Sequence, residues 1–100
     1  MLAAFSISPL GAGDSVGEAV AEVVRMVRAS GLANETNAMF TNVEGEWDEV
    51  MALIKACTEH MQQVAPRVSV VIKLDVRPGH HDMLRTKVET VEQYLIAPTA

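Results

Sequence analysis

Four acids and the only tryptophan fall within six residues, Glu44-Gly45-Glu46-Trp47-Asp48-Glu49. A carboxylate beside an indole can accept from a ligand amine or pair with a flat cationic ring. Met39 and Phe40, just upstream, can add apolar walls. The same residues also have a plainer reading. Gly45 can turn a strand into a helix, Glu44 can accept at a helix start, and Trp47 can belong to a core. Glu46, Asp48 and Glu49 fit the first turn of a helix, where the dipole favours negative charge.

Other reactive residues assemble into nothing. Ser6, Ser8 and Ser15 have no base beside them in sequence, and no acid–base pair can be built from neighbours. Gly11-Ala12-Gly13 matches neither a dinucleotide fingerprint nor a phosphate loop. Cys57-x-x-His60 lies one helical turn apart, but His80-His81 does not supply a second pair at zinc spacing. The residues therefore predict no catalytic set, no metal site and no cofactor. Cys57, the lone cysteine, reads as a small buried hydrophobe and fits a reduced, cytoplasmic setting.

One hundred residues fit one domain, expected over 1–96 with 97–100 frayed. A net charge of −5 with no basic stripe argues against nucleic acid. The apolar N-terminus lacks a basic leader and soon meets Pro9 and Gly11, and no run is long enough to span a membrane.

The elements that must position these groups follow from periodicity. Residues 2–8 alternate as a strand, with Pro9 opening a loop to Asp14. Ser15-Val16-Gly17-Glu18 has capping-box form and starts a helix running to about Ser30. Its apolar stripe includes Val16, Ala19, Val20, Val23, Val24 and Val27, and Gly31 ends it. Residues 33–37 are a weak edge strand, Ala38-Met39 a tight connection, and 40–45 a second strand. A helix over 46–64 carries the stripe Trp47, Val50, Met51, Ile54, Cys57, Met61 and Val64, and Pro66 closes it. Residues 68–77 alternate most clearly of all. Asp82 can then cap a third helix to about Leu95.

The order β-α-β-β-α-β-α predicts an α+β chain: a ferredoxin-like βαββαβ unit with a four-stranded antiparallel sheet and an added C-terminal helix. Two helices cover one sheet face. The other face carries Ala4, Ser6, Ser8, Phe40, Asn42, Glu44, Ser69, Val71, Lys73, Asp75 and Arg77. Such a face can be solvated, packed on another subunit, or part of a ligand site.

Several blocks in order resemble one known family. They are Phe5-Ser6-Ile7-Ser8-Pro9-Leu10-Gly11 with Ser15-Val16, Gly31-Leu32, Thr41 through Met51, Arg67-Val68, and Lys73 through Arg77. The Thr-x-Val-Glu-Gly-x-aromatic block, Thr41 to Trp47, is the most specific. Together they are similar to the small thiamine-binding proteins (YkoF-like, formerly of unknown function) over roughly residues 2 to 95. The resemblance implies a ferredoxin-like fold, a homodimer or homotetramer, and binding of thiamine or its pyrimidine portion without catalysis. A carboxylate, hydroxyls and an apolar wall suit such a ligand, and the expected set is Ser6, Ser8, Met39, Thr41, Asn42, Glu44 and Trp47, with Glu44 at the amine or the cationic end. Relatives commonly carry an aromatic near Asn34 and a proline near Ala38, and both are absent here.

Overall fold

The computed structural model describes residues 1–11, 13 and 16–96. The expected capping serine, Ser15, and the expected frayed tail, 97–100, lie outside them. The elements are β1 (Leu2–Leu10), α1 (Val16–Ala29), β2 (Ala33–Thr36), β3 (Thr41–Glu44), α2 (Trp47–Gln62), β4 (Arg67–Asp75) and α3 (Met83–Ile96). One antiparallel sheet has the order β2-β3-β1-β4. This is the ferredoxin-like arrangement with an added C-terminal helix, as the periodicity predicts.

Alternation decides which face is buried. Ala3 and Phe5 of β1 pair with Val43 and Thr41 of β3, and all four are buried under α1 and α2. From α1 come Ala19, Val23 and Val27, and from α2 Val50, Ile54, Cys57 and Met61. Their spacing of three and four residues puts each set on one helix face. A fully buried side chain such as Phe5 or Val27 contributes about 1.5–3 kcal/mol. Cys57 is fully buried in this core, and desolvation pushes its thiol up to about 11 from 9.0. It acts there as a small hydrophobe.

Three features depart from expectation. First, β1 does not stop at Ser8 but runs through Pro9 to Leu10, where Pro9 pairs opposite Val68. Second, Trp47 and Val64 leave the α2 stripe: they are 52% and 49% exposed. Trp47 is the first helical residue, and a helical side chain leans toward the N-terminus, here past the edge of the core. Third, the second sheet face is not wholly open. The N-terminal part of α3 lies on it, tied to β3 and β4 by polar contacts from Glu44 and Asp75.

The turn from β3 into α2 explains its glycine. A Cβ on Gly45 would stand 3.0 Å from Leu32 Cδ2 and 3.4 Å from Val50 Cγ2. Glu46 then occupies the N-cap: its side chain accepts from the helix backbone, and Glu49 accepts from the Glu46 amide at 3.2 Å. Glu46 and Glu49 are thus helix-capping residues.

Candidate functional site

Strand lengths create a cleft beside β1. β1 is nine residues long, but β3 pairs only with Leu2 through Phe5. Past that point the β2–β3 connection turns away from β1. The turn is built locally, with the Asn37 Oδ1 accepting from the Met39 and Phe40 amides at 3.0 and 2.9 Å. The Asn37 amide donates to the Phe40 carbonyl at 2.9 Å. This Asx-type turn leaves a gap between residues 36–41 and residues 5–8 of β1.

The gap is a cleft of about 210 Å³. Its apolar walls are Phe5, Val20, Val23 and Val24 with Met39, Phe40 and Met61. Ser6, Ser8, Thr36, Asn37 and Thr41 add neutral polar groups, and among the described residues no charged one lines it. A volume below the ~300–1,000 Å³ of drug-sized sites suits one heteroaromatic ring rather than a larger ligand. Four of the seven residues singled out from the sequence, Ser6, Ser8, Met39 and Thr41, meet here.

The other three lie apart. Asn42 borders a shallow hollow of about 180 Å³ on the second sheet face, with Leu2, Ala4, Lys73, Asp75 and Lys87. Lys87 donates to Asp75 at 2.8 Å, and this bond and the ammonium charge hold the Asp75 carboxyl below its usual range. Trp47 borders a hollow with Arg77, His80 and His81. Glu44 is committed to α3: its Oε2 accepts from the Met83 amide at 2.7 Å and its Oε1 from the Leu84 amide at 3.0 Å. Asp82, the cap expected from sequence, sits at φ 59° and instead accepts from Arg85 Nε at 2.8 Å. The first N–H groups of α3 therefore take their acceptor from β3, about forty residues away in sequence.

Sequence reasoning missed Thr36 and Asn37 because they lie in the weakest strand pattern and its turn. It assigned Val20 and Val24 to the core stripe. The Asn37 turn was the readable signal, since asparagine accepts from amides two and three residues on. Among the described residues, no three His, Cys, Asp or Glu side chains stand close enough to hold a metal.

Residues 3–92 match the family described as thiamine-binding protein. The UPF0045 protein Mb1933 of Mycobacterium bovis is 54% identical over 98% of this chain and 97% of its own length. The crystal structure of MJ1052 from Methanocaldococcus jannaschii superposes with TM-score 0.82 at 30% identity, covering 92% of this chain and 95% of that one. A Thermotoga maritima structure, provisionally named for thiamine biosynthesis or salvage, shares the fold. Its TM-score is 0.76 at 22% identity, over 93% of this chain and 96% of that one.

Proposed function

Since this chain belongs to the thiamine-binding protein family, we propose that it binds thiamine or its hydroxymethylpyrimidine portion, without catalysis, as a cytoplasmic homodimer or homotetramer. The observation that carries this reading is the apolar-walled cleft with its hydroxyl groups between β1 and the β2–β3 turn. An aminopyrimidine is flat and uncharged, with donors and acceptors on its rim. Hydroxyls at Ser6, Ser8 and Thr41 suit that rim, and Met39 with Phe40 suits the ring face. Among the described residues no counter-charge for the permanently cationic thiazolium lines this cleft, so the reading puts that ring outside it. Glu44, whose two oxygens accept from α3, is not among the residues lining this cleft.

Calorimetric titration tests the reading, with thiamine and with free hydroxymethylpyrimidine as ligands. Saturable heat is expected from both. Thr41→Val, which keeps the shape of a buried residue and removes its hydroxyl, is expected to weaken binding about fivefold. Absence of saturable heat from both ligands at millimolar concentration overturns the reading.

A second reading is supported by α3. It contributes no buried residue, and Val88, Val91, Tyr94, Leu95 and Ile96 are all more than half exposed. A contiguous apolar surface of this kind suits contact between copies of the chain. The two readings are compatible, because the cleft and α3 lie on different parts of the molecule.

A further inference from the structure

The main chain of β1 carries a feature that the side chains do not reveal. Met1 and Gly45 exchange both backbone bonds: the Met1 amine donates to the Gly45 carbonyl at 2.9 Å, and the Gly45 amide returns to Met1 O at 3.1 Å. In an antiparallel pair such doubly bonded partners recur every second residue. The register Ala3↔Val43 and Phe5↔Thr41 continues that phase. The odd-numbered residues of β1 therefore turn their N–H and C=O toward β3, and the even-numbered ones toward β4.

Pro9 supports the same phase independently. It lies within the run that pairs with β4, opposite Val68. A proline is tolerated in such a run only where its missing N–H faces away from the partner. Pro9 is odd, so its nitrogen faces the β3 side, where no donor is needed.

Ile7 is next in this phase after Phe5. The β1–β3 register stops at Phe5↔Thr41, and among the described residues no backbone group pairs with Ile7 on that side. Ile7 also lines the cleft. One donor and one acceptor on an extended residue project side by side into the space that β3 has left. The stretch is too short to add a strand, because Pro9 has no donor to continue the ladder.

We propose that the Ile7 main chain is the specificity-determining contact of the cleft, its N–H and C=O reading an acceptor–donor pair on the edge of a heteroaromatic ring. This rests on the ligand reading given above. A 4-aminopyrimidine presents that pair: a ring nitrogen accepts from the Ile7 N–H, and the adjacent exocyclic amine donates to the Ile7 carbonyl. The 4-oxo analogue presents the reverse order, a ring N–H beside a carbonyl. A backbone amide cannot exchange its donor for its acceptor, whereas a hydroxyl can do either. Discrimination between the two rings therefore belongs to Ile7 and not to Ser6, Ser8 or Thr41.

The experiment uses the full chain labelled with ¹⁵N and titrated with thiamine, hydroxymethylpyrimidine and oxythiamine, the 4-oxo analogue of thiamine. The Ile7 amide resonance is expected to move along the same saturation curve as binding, and its hydrogen exchange to slow. Oxythiamine is expected to bind at least about tenfold more weakly than thiamine, because two groups are left unpaired. If thiamine saturates the protein while the Ile7 amide stays unmoved, the inference fails and the ligand reading stands. The same holds if oxythiamine binds within about threefold of thiamine, a difference smaller than one lost hydrogen bond. If neither thiamine nor the pyrimidine binds, the ligand reading fails and takes this inference with it.

Discussion

Glu44 is in phase with the second sheet face, paired across to Leu2 and Ala33, and that much follows from alternation alone. Its partners do not follow from alternation, because the amides of Met83 and Leu84 come from an element that periodicity could not dock. Charge-assisted bonds to two amides at a helix start hold the carboxylate in place. Glu44→Ala removes both and is expected to cost about 1–2 kcal/mol in stability. Glu44→Gln keeps an acceptor and is expected to cost less. Denaturant unfolding measures the ordering. Thiamine affinity, measured alongside, is expected to stay within about twofold, less than one lost hydrogen bond. A large loss of affinity with unchanged stability would return Glu44 to the ligand. Ser6 and Thr41 were legible for the opposite reason: position on a strand is enough to bring them to the gap beside β1.

Elements differ in how firmly they are held. α1 and α2 each bury three or four residues in the core, and their stripes were readable at helical spacing. β4 alternates over nine residues and was equally readable. β2 has only four residues of poor strand propensity, and its pairing with β3 is set by the Asn37 turn rather than by its composition. α3 shows a similar apolar stripe in sequence, yet none of its residues is buried. It is held by the Glu44 cap, the exposed Lys87–Asp75 pair and the half-buried Met83 and Leu84 at its start. An exposed pair adds little. Local opening of α3 is therefore expected far below the global unfolding free energy. Deuterium exchange on dilute protein is expected to show α3 amides exchanging at least ~100-fold faster than those around Val27 and Ile54. Equal protection across the three helices would mean that α3 is held by contacts beyond these.

At the scale of the whole molecule, the chain exposes more surface than its size requires. Its radius of gyration is 15.9 Å, against about 13 Å for a compact chain of this length. The longest axis is 56 Å. Its accessible area is 6834 Å². A monomer of this mass is expected to expose about 5,500 Å². The excess exceeds the ~800 Å² that each partner buries in an ordinary protein interface. Along α3, Val88, Val91, Tyr94, Leu95 and Ile96 are exposed apolar residues. In sequence this surface cannot be told from a core stripe, because spacing records that a face is apolar and not what covers it. We expect a second copy to cover it. Light scattering coupled to gel filtration is then expected to return two or four times the chain mass. The double variant Val88→Glu and Val91→Glu places charge in that face and is expected to return the single-chain mass. It should leave the β1–β3 cleft intact, since neither residue lines it. A wild-type protein that stays monomeric at about 100 µM would rule out a stable interface there, because Kd would then lie well above the micromolar range. Dissociation with retained thiamine binding would show that each subunit carries a complete cleft. Loss of both would make the assembled form the binding species, with stability and affinity then depending on protein concentration.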